Sequence, residues 1–172
     1  MEVAVLEAER VLRCLSDHQV SFVLIGALAA TMQGSPLRTE DIDICPAESE
    51  NNLRRLAAAL KELDAKEWDL HRDDVVERDW SPEVLRADRV WILSTKYGRL
   101  DLVFIPAGSK GYEELAASAV DLAVEDLVVR VASLDDIIRS KEALGREQDL
   151  AQLPTLRQLA ARTKGPGRKT SG

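Results

Sequence analysis

Asp41 and Asp43 stand two residues apart in residues 40–45 (EDIDIC), where acidic and apolar residues alternate from Asp41 onward. A period of two places both carboxylates on one face of a strand and turns Ile42 and Ile44 to the other, toward a core. A third carboxylate, Asp101, sits between Leu100 and Leu102 in the second strand of an expected hairpin. If that strand lies beside residues 40–45, Asp101 joins the pair. Three clustered carboxylates repel and desolvate one another unless a cation neutralises them. Oxygen-only ligands at a sheet edge suit Mg²⁺ or Mn²⁺ rather than zinc. The chain holds 15 Asp, so about one Asp-x-Asp is expected by chance and the motif alone says little. Its surroundings say more: a strand, Gly26, a small-residue helix, Gly34 and Arg38-Thr39 precede it. A glycine at a strand-to-helix turn lets backbone N–H groups approach a phosphate at the helix N-terminus.

Other chemistries find less support. Cys14 and Cys45 lie among apolar residues and read as buried free thiols. His18 and His71 are far apart, and the sequence shows no His/Cys cluster with zinc spacing. No serine stands in a nucleophile-elbow context. Trp68, Trp80 and Trp91 read as core or interface anchors rather than base-stacking platforms.

The elements that must position the aspartates follow from hydrophobic periodicity. Residues 2–17 predict an amphipathic helix with Val5, Ala8, Leu12 and Leu15 on one stripe. Residues 20–25 (VSFVLI) predict a buried strand, and 27–33 a short helix stopped by Gly34. Residues 40–45 form the aspartate strand, ended by Pro46, and 48–63 a second amphipathic helix. The charged stretch 64–89, with Trp68 and Trp80, carries no clear period. Residues 90–95 and 99–105 predict a hairpin joined by Lys96-Tyr97-Gly98. A helix is expected over 112–119 and a strand or hairpin over 124–131. Ser133 caps a helix with Asp135 and Asp136 in its first turn, ending near Leu144 at Gly145. A last helical region, 147–162, is broken or restarted at Pro154. The class is mixed α/β (α+β), a small mixed sheet with flanking helices.

The 172 residues, 45% apolar and 31% charged, fit one soluble domain. We expect it to span 1–162, with a core at about 20–132, a helical segment at about 133–162 and a flexible basic tail at 163–172. No apolar run reaches the ~20 residues that span a bilayer, and the N-terminus lacks a signal peptide's basic region. The expected location is the cytoplasm, without a membrane partner. The net charge of −7 is uneven: residues 150–172 carry five bases and no acid, leaving −12 on the rest. An acidic body repels nucleic-acid phosphate except at a local basic patch or through bound cations.

The string FVLIGALAATMQGSPLRTEDIDI (residues 22–44) resembles the core of nucleotidyltransferases related to DNA polymerase β. It is most similar to AbiEii-type and other small bacterial nucleotidyltransferase-like proteins, several of them toxins of toxin–antitoxin pairs. YGRLDLVF (97–104) resembles the strand bearing their third carboxylate, and SLDDIIRSKEALGREQDLAQLPTL (133–156) their C-terminal segment. The resemblance implies a polymerase-β-type core and two Mg²⁺ or Mn²⁺ ions on Asp41, Asp43 and Asp101. It implies that Gly26 and the Ala27 backbone, with Arg38 or Thr39, meet an NTP's phosphates. Lys141 would contact the triphosphate, and Asp149 would complete the site or orient Lys141. The implied reaction moves an NMP from an NTP to a hydroxyl on tRNA or protein, with a cognate antitoxin as a further partner. Two departures, Ala27 for Gly or Ser and Gln148 for Lys, bring in an alternative, a weakly active or inactive binding module. Another alternative is a small-molecule nucleotidyltransferase of the aminoglycoside-modifying kind.

Overall fold

The computed structural model describes residues 6–164, which form one continuous mixed sheet of eight strands with seven helices. In chain order these are α1 (Ala8–Asp17), β1 (Phe22–Ile25), α2 (Gly26–Met32), β2 (Asp41–Pro46) and α3 (Glu50–Glu62). Then follow β3 (Lys66–Asp69), β4 (Asp74–Val76), α4 (Pro82–Arg86), β5 (Val90–Thr95) and β6 (Gly98–Val103). The chain continues through α5 (Tyr112–Ser118), β7 (Val120–Val124), β8 (Leu127–Val131), α6 (Leu134–Leu144) and α7 (Glu147–Lys164). The strand order is β4-β3-β5-β6-β2-β1-β8-β7.

The centre of the sheet sets the register of the aspartates. β2 runs antiparallel to β1 and parallel to β6, pairing Asp43 with Ile25 on one side and Asp101 on the other. Alternation works as expected: Ile42 and Ile44 are fully buried, while Asp41 and Asp43 on the opposite face are half-buried. Burying each isoleucine contributes roughly 2 kcal/mol, which offsets part of the cost of crowding carboxylates behind it. Asn52, buried in α3, fixes the rim of this pair. Its Oδ1 accepts from the Ser21 N–H at 2.7 Å, and its Nδ2 donates to the Ser21 and Ala47 carbonyls. Ser49 caps α3, its Oγ accepting from the Asn52 N–H at 3.2 Å.

The charged stretch without a clear period contains β3, β4 and α4. β3 (KEWD) is half-buried along its whole length, so no alternation marks it. Its fold signal lies in Trp80 and Trp91, buried edge-to-face with ring centroids 5.4 Å apart. The indole N–H of Trp80 donates to the Ala65 carbonyl and that of Trp91 to the Leu85 carbonyl. Pro154 does not break α7. Its missing N–H withholds a partner from Leu150, which stands on the exposed side where water can serve. The start of the expected first helix, residues 2–5, and most of the expected basic tail, 165–172, lie outside the described residues.

Candidate active site

The parallel register of β2 and β6 places Asp43 directly beside Asp101, with Asp41 two residues along the same face. One ligand oxygen from each of Asp41, Asp43 and Asp101 falls within 4.8 Å of the others. The spacing suits carboxylates shared by divalent cations, and the all-oxygen donor set suits Mg²⁺ or Mn²⁺. Crowding the carboxylates disfavours their charged forms. Burial, then repulsion from Asp41 and Asp101, pushes the Asp43 carboxyl up to about 7. Burial also raises Asp101, against the pull of Arg99.

Arg99 is the cation already present. Its Nε and Nη2 donate to the two carboxylate oxygens of Asp101 at 3.1 and 3.0 Å, and its Nε lies 3.7 Å from Asp41. Sequence reasoning did not single it out. Its signal was available, because residue 99 precedes Asp101 by two and therefore shares its face.

Gly26 closes the site from the β1–α2 turn. Its φ of +71° favours glycine, and a Cβ there would overlap the Asp43 carboxylate. Gly26 and Ala27 line a cavity of about 500 Å³ together with the three aspartates, Lys141 and Arg146. That volume is in the usual range of small-molecule sites. Ser133 and Gly145 bound the helix that carries Lys141. The Ser133 Oγ accepts from the Asp136 N–H, and Gly145 takes a left-handed turn at φ 63°.

Asp149 does not face this cavity. It is fully buried and accepts from Lys141 Nζ at 3.2 Å, from Arg146 Nε at 2.6 Å and from Arg146 Nη2 at 3.2 Å. The Arg146 and Lys141 hydrogen bonds hold its carboxyl below the usual carboxylate range. It thus ties together two cations that line the cavity wall. Arg146, three residues before Asp149, shares that carboxylate with Lys141. Gln148 is exposed, and the charge it lacks is not among the partners of Asp149.

Arg38 and Thr39 are not brought to the cavity. Arg38 is exposed on the loop before β2, and the Thr39 hydroxyl donates to the Asp41 carbonyl at 2.6 Å. A second cavity of about 400 Å³ adjoins the aspartates, lined by Glu40, Asp41, Trp68, Leu93, Ser94 and Arg99. Trp68 therefore faces a cavity, unlike Trp80 and Trp91. Among the described residues, no helix is long and apolar enough to cross a membrane.

No protein-family model matches the chain, and no curated protein matches it by sequence. Solved structures do match its fold. Lincosamide antibiotic adenylyltransferase LnuA, in a lincomycin-bound structure, superimposes with a TM-score of 0.59 at 17% identity, over 91% of this chain and 99% of that one. The antibiotic-resistance factor ANT(2″)-Ia matches at 0.57 and 16% identity, over 91% and 82%. The Thermotoga maritima protein TM1012, a proposed nucleotidyltransferase, matches at 0.53 and 17%, over 90% and 96%. The fold is that of nucleotidyltransferases, as the resemblance of residues 22–44 implied.

Proposed function

We propose that the chain is a metal-dependent nucleotidyltransferase that moves an NMP from an NTP to a hydroxyl acceptor. One observation carries the reading: three carboxylates converge in a cavity that also holds Lys141 and Arg146, both braced by a buried Asp149. Asp41, Asp43 and Asp101 would hold two divalent ions, which supply charge neutralisation at the leaving pyrophosphate and a lowered pKa at the attacking hydroxyl. The residues do the rest. Lys141 and Arg146 hold the triphosphate tail, and Gly26, lacking a Cβ, lets the Asp43 carboxylate sit against the β1–α2 turn. Asp101 accepts the acceptor's hydroxyl proton at a carboxylate oxygen. The acceptor oxygen then bonds to the α-phosphorus as the bond to pyrophosphate breaks, in line.

The acceptor enters from the cavity beside Trp68. That cavity is lined by the apolar Leu93 and Trp68, with carboxylates of Glu40 and Asp41 outnumbering the single guanidinium of Arg99. In a chain carrying −7 overall this setting favours a small cationic acceptor with an apolar face over a polyanion. LnuA is a lincosamide antibiotic adenylyltransferase and ANT(2″)-Ia an antibiotic-resistance factor, which agrees with a small-molecule acceptor. The resemblance to AbiEii-type toxins supports a second version, with tRNA or protein as acceptor and an antitoxin as partner.

The test is incubation with each α-labelled NTP and Mg²⁺ or Mn²⁺, against amino-bearing small alcohols, total tRNA and cell protein in separate arms. Label on the small alcohols, lost in Asp41→Ala, supports the first version, and label on tRNA or protein the second. NTP binding without transfer in any arm would leave a binding module and overturn the enzyme reading.

A further inference from the structure

A second group of ligating side chains lies away from the aspartates. Cys14 and His18 are four residues apart on α1 and so share one helix face. The spacing alone is half a ligand set. α3 supplies the rest, because its last residue, Glu62, meets that face where α1 and α3 touch. Cys14 Sγ, a His18 ring nitrogen and a Glu62 carboxylate oxygen all lie within 4.8 Å of one another. His18 Nε2 and Glu62 are already hydrogen-bonded.

We propose that Cys14, His18 and Glu62 form a zinc site that clips α1 to α3. The donor set is one sulfur, one nitrogen and one oxygen, a borderline-soft combination that selects Zn²⁺ over Mg²⁺. Zinc bonds of ~2.0–2.3 Å in tetrahedral geometry place ligand atoms roughly 3.3–3.8 Å apart, so closure needs shifts of about an ångström. Burial is graded to suit an open fourth position. Cys14 is 6% exposed, while the His18 and Glu62 side chains are 27% and 56% exposed, leaving the outer side to water. On binding, the Cys14 thiol proton leaves to solvent as the sulfur–zinc bond forms. Lys96, which lies near Cys14 and Glu62, sits on a flexible stem over the Tyr97 ring and can withdraw. The clip would brace α1, whose N-cap residue, Glu7, donates its N–H to the Tyr97 carbonyl at the β5–β6 turn. It is independent of the nucleotidyl-transfer reading.

The probe is Co²⁺ alone, added to the reduced full chain in excess Mg²⁺, which fills the carboxylate site. A thiolate-to-cobalt charge-transfer band at one ion per chain, displaced by Zn²⁺ and lost in Cys14→Ala, is expected. The oxygen-only aspartates cannot give that band. Glu62→Gln and His18→Ala, at partly exposed positions, should weaken Co²⁺ binding by more than about 100-fold, more than loss of an outer-shell partner does. Zn²⁺ should also raise the melting temperature of Asp41→Ala but not of Asp41→Ala/Glu62→Gln. No charge-transfer band, a band that survives Cys14→Ala, or unchanged affinity in Glu62→Gln would overturn the site.

Discussion

Replacing Asp43 by Asn should stabilise the metal-free protein at pH 8. Burial and two neighbouring carboxylates raise the Asp43 carboxyl from 3.8 to about 7, which puts the cost of its ionised form near 4 kcal/mol at most. The Asn amide still needs partners, and it finds them in the Asp41 and Asp101 oxygens, so the net gain is roughly 1–3 kcal/mol. In a chain this long that is about 3–8 °C in melting temperature. The sign follows from linkage. A carboxyl raised in the folded state takes up a proton on folding, so its favourable contribution is complete below about pH 4 and is lost as pH rises through about 7. Asn removes that loss, and the gain over wild type should be large at pH 8 and small at pH 4. Thermal unfolding in EDTA across this range reads it. With Mg²⁺ the order reverses, because wild type gains from the cation and the variant does not. A variant less stable than wild type at pH 8 in EDTA, or equally stabilised at both pH values, would refute the reasoning.

Further substitutions probe the rest of the site. Asp149→Asn should cost about 1–3 kcal/mol, less than a fully buried broken pair, because Lys141 and Arg146 are 18% and 57% exposed and can turn to water. It should raise KM for NTP and remove a stability loss that wild type shows as pH falls below about 4 through the depressed value of Asp149, measurable by acid titration of unfolding. Arg99→Gln should tighten Mn²⁺ binding by roughly 3–10-fold, since the guanidinium and the ion compete for Asp101 and Asp41; paramagnetic titration that shows weaker binding contradicts this. Gly26→Ala should cost about 1–3 kcal/mol through its φ of +71° and abolish Mn²⁺ binding by pressing on Asp43; an unperturbed melting curve would count against that close approach.

The sequence made the aspartate geometry legible because it is local and periodic. A period of two set Asp41 and Asp43 on one face, and the hairpin around Lys96-Tyr97-Gly98 carried Asp101. What alternation could not state is register, which the structure supplies by pairing Asp43 with Asp101. Arg99 was within reach of the same period, since it shares a face with Asp101, and only its approach to Asp41 needed the register between strands. β3 and β4 were illegible because β3 is half-buried on both faces and the short, charged β4 lies at the sheet edge, so neither carries a hydrophobic period. The spacing of Arg146 and Asp149 allows a local i,i+3 pair, but the burial of Asp149, which gives that pair its weight, is tertiary information. Glu62 was out of reach for the same reason: nothing near Cys14 and His18 in sequence announces a third ligand from α3.

The account depends most on Asp41, Asp43 and Asp101 acting as one cation site that serves a nucleotide. Paramagnetic resonance of Mn²⁺, with and without a non-hydrolysable NTP analogue, measures this directly. We expect Mn²⁺ to bind the wild-type chain, to bind more tightly and with a second ion when the analogue is present, and to be lost in Asp41→Ala and Asp43→Asn. Mn²⁺ binding that is indifferent to those two substitutions, or to the nucleotide, would contradict the account.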